Sequence, residues 1–244
     1  LFERQIEEAG LNSWPALQQL LFDGWIIRFA QGYTKRANSV TPLYPSLLPV
    51  EEKIVQCEHL YEQQHLPTTF RLISFSEESH ELEQLLAQRG YRYLDRTLVM
   101  STQLSSGAAR GNPACHALSL ADWFPIYISF NERYSELQHL HRALLECIST
   151  PLIYAALYQQ DKPVACGLGV LEHELFGLFD IVTDPALRRK GYSTQLVTAM
   201  LDWGRQHGAQ YAYLQVVDAN QPAQQLYAKI GFQHCYYYWY RQRP

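Results

Sequence analysis

The stretch that most constrains this chain of 244 residues runs from Leu175 to Phe232. An apolar run, Leu175 to Thr183, leads into Arg188-Arg189-Lys190-Gly191-Tyr192-Ser193, and a helical pattern opens at Ser193. A glycine-containing turn that enters a helix points several unpaired backbone N–H groups at one spot, where the helix dipole also favours negative charge. Three basic side chains beside it make an anion cradle suited to a pyrophosphate. The helix carries Leu196, Met200 and Trp203 on one side and stops at Gly208. A strand from Tyr211 to Val217 follows, then a second helix with Asn220 as its cap-type start.

The pattern Arg-x-x-Gly-x-Ser followed by Asn220-x-x-Ala-x-x-x-Tyr227-x-x-x-Gly231-Phe232 resembles the GCN5-related N-acetyltransferase (GNAT) superfamily. The resemblance covers Leu118 to Arg241; Ser193 stands where the family usually has Gly or Ala, and is still small. It implies the acyl-CoA N-acyltransferase fold, an α+β domain with a mixed sheet, together with acetyl-CoA as cosubstrate, no metal, and direct attack by a primary amine of an acceptor. It also implies two splayed parallel strands, Phe179 to Thr183 and Tyr211 to Val217, whose open edges pair with the amides of the cofactor arm. On this resemblance Ile181, Val182, Thr183, Arg188, Arg189, Lys190, Gly191, Tyr192, Ser193 and Asn220 bind the cosubstrate. Main-chain N–H near Val182 faces the developing oxyanion, a contribution of about 3 kcal/mol to the barrier. Tyr227 becomes the acid that protonates the departing thiolate, a role that suits a phenol of pKa about 10. It is one of 17 tyrosines, most of which must be packing. Asp180 interrupts an apolar run two residues before Val182 and on its face. Burying an acid there needs a purpose or a partner; it is either the general base or an ion-pair partner for an Arg of the other half, and ordered water serves as base in many GNAT enzymes.

Upstream, Asn12, Ser13 and Pro15 predict a helix to Phe22 that ends at Asp23-Gly24. Strands are expected at Trp25 to Ala30 and, after a Gln31-Gly32 turn, over Tyr33 to Leu43. Helices are expected over Val50 to His65, with Ile54, Cys57 and Tyr61 inward, and over Ser79 to Arg89; strands over Thr68 to Phe75 and Tyr91 to Thr102. Residues 104–113, rich in Gly and Ser, read as a linker. Beyond it come helices at Leu120 to Phe130 and Ser135 to Ile148, the second with a stripe of Leu137, Leu140, Leu144 and Leu145, and strands at Leu152 to Gln159 and Val164 to Glu172. Aligning Gly90 with Gly231 overlays the two halves without a gap, Trp25 on Cys166, Phe70 on Tyr211 and Ser79 on Asn220. The cradle then falls on Leu47 to Glu52, which has no Gly, no basic residue and two carboxylates. The expected organisation is a degenerate GNAT-like unit at 1–103, the linker, and a catalytic GNAT unit at 114–244. Arg28, Arg36, Asn38 and Ser39, in an unusually polar segment for a strand pair, line either the acceptor cleft or a polar contact between the halves.

Composition narrows the rest. The net charge of −4 argues against nucleic-acid or acidic-membrane partners. No apolar run reaches the roughly 20 residues of a membrane span, and the acid-bearing start Leu1 to Ala9 is not that of a signal peptide. A start at Leu rather than Met fits processing or trimming. Five scattered cysteines fit reduced thiols in a cytoplasmic protein, without ligand spacing for zinc. The expectation is an N-acetyltransferase, monomer or homodimer, with a non-catalytic acyl-CoA sensor or scaffold as the alternative.

Overall fold

In the computed structural model, which describes residues 2–104, 112, 114–131 and 136–244, the first element overturns the expected helix at Asn12. Helix α1 spans Phe2–Ser13 and ends where that helix was to begin, while Gln18–Phe22 is strand β1. Asp23-Gly24 is a hairpin turn rather than a helix stop. Both residues are left-handed, with φ of 43° and 81°, the combination whose twist matches the flanking strands. Phe22 therefore faces Trp25, the first residue of β2 (Trp25–Phe29). A side chain at Gly24 would place its Cβ 2.4 Å from the Tyr44 carbonyl oxygen.

The Tyr33 to Leu43 segment is only briefly extended, as β3 (Val40–Pro42), because Lys35–Ala37 curls into a 3-10 turn closed by Thr34 and Asn38. Then follow α2 (Val50–Gln63), β4 (Thr69–Ile73), α3 (Glu77–Gln88) and β5 (Arg92–Gln103). Ile54, Cys57 and Tyr61 are fully buried. Helix α3 is capped by Ser76, not Ser79, whose hydroxyl instead accepts from the Ile73 N–H at 3.0 Å. Most of the expected linker lies outside the described residues. After it come β6 (Cys115–Leu118), which the sequence reading missed, α4 (Leu120–Phe130), α5 (Gln138–Glu146), β7 (Leu152–Gln159), β8 (Lys162–Glu172) and β9 (Leu175–Thr183). Leu140, Leu144 and Leu145 of α5 are buried, but Leu137 precedes the helix and is 42% exposed. Helix α6 (Tyr192–Gln206), β10 (Tyr211–Val217), α7 (Gln221–Ile230) and β11 (Gln233–Gln242) complete the chain. No described helix is long and apolar enough to cross a membrane.

All eleven described strands form one sheet in the order β1-β2-β3-β4-β11-β5-β10-β9-β8-β7-β6. Strand β5 is inserted between β10 and β11, and β11 between β4 and β5, so each lies beside strands distant in sequence. The parallel pairs are β3 with β4 and β9 with β10. Elements β2, β3, α2, β4, α3 and β5 follow the same order as β8, β9, α6, β10, α7 and β11. The offset of 141 residues puts Arg92 on Gln233, the first residues of β5 and β11 (233 − 92 = 141).

One face of the sheet carries a single core that includes Ile6, Trp14, Trp123, Leu144, Tyr213 and Tyr238 and is covered by α1, α4 and α5. The opposite face has two cores, Trp25, Ile54 and Phe70 under α2 and α3, and Leu196, Met200 and Leu214 under α6 and α7. Burial of each large side chain contributes about 1.5–3 kcal/mol. Alternation along β11 sends Tyr236, Tyr238 and Tyr240 into the shared core and Trp239 into the other. A buried ion pair crosses the shared core: Arg71 of β4 binds Glu7 of α1, and the Tyr236 hydroxyl donates to Glu7 Oε2 at 2.6 Å.

Candidate active site

Strands β9 and β10 pair only from Leu175 with Tyr211 to Leu178 with Leu214. Beyond that point Phe179–Thr183 stays with β8 and Gln215–Val217 stays with β5, and the sheet opens between them. The opening is a cavity of about 450 Å³. Trp14 and Tyr127 line it on one face of the sheet and Ala223 and Tyr227 of α7 on the other, so it passes through the sheet. Phe179 to Val182 form one wall and Leu214 to Val217 the opposite one.

The cradle lies at the end of β9. Asp184 caps a short turn, accepting from the Ala186 N–H at 2.9 Å, and Arg188 to Lys190 follow it, all exposed. Arg189 and Gly191 are both left-handed, with φ of 64° and 82°. Gly191 is the N-cap of α6, a 15-residue helix, and supplies no side-chain acceptor for its first N–H groups. Only glycine takes this conformation without strain. Thr183 and Ser193 join strand to helix through their hydroxyls at 2.6 Å. A small residue suffices at 193, and serine adds this link.

Tyr227 lines the cavity from α7, edge-on to Phe232 with ring centroids 5.9 Å apart. Burial pushes its pKa up to about 12, above the sequence expectation, which keeps it a protonated donor at neutral pH. Asn220 caps α7, its Oδ1 accepting from the Ala223 N–H at 3.3 Å, and lies on the same cavity wall.

Asp180 sits in a β-bulge. Leu168 faces Phe179 and Cys166 faces Val182, so β9 has one extra residue here, and Asp180 takes it up with φ of 50°. Regular alternation from Phe179 would turn Asp180 towards α6; the bulge turns it to the face of α4 and α5. Its partner there is not an arginine but His141 of α5, whose Nε2 lies 2.8 Å from Asp180 Oδ2. His141 is fully buried, boxed by Trp14, Tyr33, Phe124 and Tyr127 at 4.8–5.6 Å between ring centroids. The sequence reading passed over His141; the available signal was a histidine on the apolar stripe of α5 and an acid without a partner in β9.

Of the polar residues expected around the acceptor, the structure brings Arg36 to the cavity and keeps Arg28 and Asn38 away from it. Arg28 is fully buried, and burial lowers its pKa to about 10. It donates to the carbonyls of Leu11, Trp14 and Arg36. Asn38 accepts from the Ala30 and Gly32 N–H groups at 2.7 and 2.9 Å and donates to the Thr34 carbonyl at 2.8 Å. Both hold the turn; neither lines the cavity. Ser39 is likewise fully buried. Arg36 faces Trp14, with 5.7 Å from Cζ to the ring. Burial lowers its pKa, but Tyr238, Tyr240 and Asp180 outweigh that and raise it. The β11 tyrosines and Gln215, missed as site residues, complete the wall.

Residues 3–241 match the family described as "Probable histone acetyltransferase Rv0428c C-terminal". The uncharacterized N-acetyltransferase YobR of Bacillus subtilis (strain 168) is 28% identical over 239 residues, 94% of each chain. A ribosomal protein bS18-alanine N-acetyltransferase of Haemophilus ducreyi is 36% identical over 74 residues, 30% of this chain and 51% of its own. Among solved structures, a GCN5-related N-acetyltransferase from Kribbella flavida superimposes with a TM-score of 0.73 at 14% identity, over 99% of this chain and 95% of that one. A tandem GNAT protein from the clavulanic acid biosynthesis pathway gives 0.64 at 10% identity, over 84% and 74%. These two carry the fold alone. With nearly its whole length matched, the chain belongs to the Rv0428c C-terminal family and, through it, to the GCN5-related N-acetyltransferases, acyltransferase enzymes of α+β fold.

Proposed function

We propose that the chain transfers an acetyl group from acetyl-CoA to a primary amine, with both substrates bound together. The observation that carries this reading is the gap beyond Leu178 and Leu214, with Tyr227 and Asp180 on its walls and the cradle a few residues past the end of β9. The residues present fit acetyl-CoA. An uncapped helix N-terminus behind Gly191, with Arg188, Arg189 and Lys190 beside it, suits the pyrophosphate, and the open edges of Ile181 to Thr183 suit an amide-bearing arm. When bound, the cosubstrate supplies an activated thioester. Main-chain N–H groups around Val182 then offer donors to a carbonyl oxygen, Tyr227 holds the proton that a thiolate needs, and Asp180 accepts from an ammonium group.

In this proposal residues 114–244 form the catalytic unit and 1–103 a degenerate one, joined through 104–113. The fate of the second cradle supports that division. At the positions equivalent to Arg188 and Arg189, the N–H groups of Leu47 and Leu48 donate to the chain's own Asp23 carboxylate at 2.9–3.1 Å. Those two N–H groups are thus taken by an internal anion, whose charge would also repel a phosphate. Histone and ribosomal-protein acceptors belong to the descriptions of the relatives; for this chain the acceptor follows from its own cavity.

Tyr227→Phe tests the reading. Turnover should fall about 10²- to 10⁴-fold while affinity for CoA is kept. Full activity in this variant removes Tyr227 from the chemistry, and a wild type that binds CoA but acetylates no amine is a sensor or scaffold.

A further inference from the structure

Resting on the acetyl-transfer reading, we infer that the acceptor is a zwitterionic amine of amino-acid type, its carboxylate held by Arg36 and its amino group turned to Asp180. Arg36 and Asp180 come from distant parts of the chain and line one cavity. Lys35 and Asp95, also on its wall, are paired at 2.5 Å and cancel each other. Apart from that pair, the charged side chains on the described wall are Arg36 and Asp180, with the Tyr238 phenol beside Arg36.

Arg36 stands on a support built for it. Thr34 Oγ1 accepts from the Ala37 N–H at 3.3 Å, Asn38 Nδ2 donates to the Thr34 carbonyl at 2.8 Å, and the turn between them is fixed. Arg28, with no exposed surface, donates to the Arg36 carbonyl at 3.2 Å. Burying one guanidinium on main-chain carbonyls is costly, and here it fixes the position of a second. The Nε of Arg36 is buried and has no hydrogen-bond partner. That nitrogen is shut off from the cavity as well, so a carboxylate meets Arg36 at its two terminal nitrogens, an edge that also makes two parallel hydrogen bonds.

Asp180 is complementary. His141 takes one carboxylate oxygen, Oδ2, at 2.8 Å, which leaves Oδ1 to accept from an ammonium. Trp14, Phe179 and Tyr240, which line the same cavity, provide apolar faces for a short carbon skeleton. A polyamine or a lysine side chain would bring no anion to Arg36, and a dicarboxylate would meet Asp180; both leave a charge unanswered.

The test measures acetyl-CoA-dependent turnover of the whole protein with a panel of free amino acids, each compared with its α-carboxamide, and with a lysine peptide blocked at both ends. Carboxamides have less basic amines and hence more free base, so any bias from nucleophilicity runs against the inference. Amino acids should exceed their carboxamides by about 10- to 100-fold in kcat/KM, the range of a charge-assisted bidentate contact. Arg36→Gln should erase that preference by raising KM for the acids alone, and Arg36→Lys should keep part of it; thermal melting and acetyl-CoA titration check that both variants fold. Equal rates for acids and carboxamides, a loss in Arg36→Gln that is the same for both, or turnover of the blocked peptide alone overturns the inference while leaving acetyl transfer intact. Failure of the wild type to bind acetyl-CoA at all removes the acetyl-transfer reading itself.

Discussion

Glu7→Ala strips the carboxylate from a buried arginine and so measures how firmly the first helix is tied to the last strand. Glu7 and Arg71 side chains are 1% and 2% exposed, and the Tyr236 hydroxyl loses its acceptor in the same step. What remains near the Arg71 guanidinium is the Tyr238 ring at 3.7 Å, which attracts a cation but does not accept its hydrogen bonds. Breaking a buried pair by removing one partner costs about 3–5 kcal/mol, a large share of the roughly 5–15 kcal/mol of a typical domain. With a urea slope of about 2–3 kcal/mol/M, the unfolding midpoint should fall by roughly 1–2.5 M. Tryptophan fluorescence during urea titration reads this directly. The double variant Glu7→Leu/Arg71→Met, apolar and of similar volume, should recover most of the loss, because it leaves no charge unpaired. A midpoint within about 0.3 M of the wild type for Glu7→Ala, or a double variant as unstable as the single one, would refute the reasoning.

Two pH effects should follow from charges facing this core and its neighbour. Burial raises the Tyr238 phenol, but Arg36 and Arg71 more than compensate and bring it down to about 8. Folding then favours the phenolate, so relative to Tyr238→Phe the wild type should gain stability as pH rises from about 8 towards the unfolded value of about 10; near-ultraviolet absorbance should show one tyrosine ionising in that window, absent in the variant. Glu83 of α3 is held below the usual carboxylate range, first by Arg241 and also by the Trp239 indole, against a smaller effect of burial. Its advantage over Glu83→Gln in melting temperature should be constant above the unfolded pKa of about 4.3 and shrink as pH falls below it.

The fold from Leu175 onward was legible because its signals are local. A glycine with positive φ at 191, cap residues at 220 and strict strand lengths each act within a few residues. The start of the chain was misread for an equally local reason: Asp-Gly serves a helix end and a hairpin alike, and pairing with β2 decided between them. The exchange of β5 and β11 left no local trace, since a strand looks the same beside either neighbour. At the site, Tyr227 and Asp180 carry functional residue types at telling positions. His141 gained its partner only through a bulge that reverses the alternation of β9, and Arg28 and Asn38 were drawn inward by carbonyls and N–H groups that sequence does not display. Polar side chains in a strand pair mark a site or its scaffold, and burial separates the two.

The most direct measurement is calorimetric titration with acetyl-CoA and with CoA, comparing the wild type with Arg188→Glu/Gly191→Glu. Both substitutions fall on exposed residues, and a side chain at Gly191 meets no atom within 4 Å, so the variant should melt close to the wild type apart from local strain in the turn. The wild type should bind both ligands with micromolar affinity and the variant neither. No binding by the wild type, or equal binding by the two proteins, would contradict the assignment of the cradle.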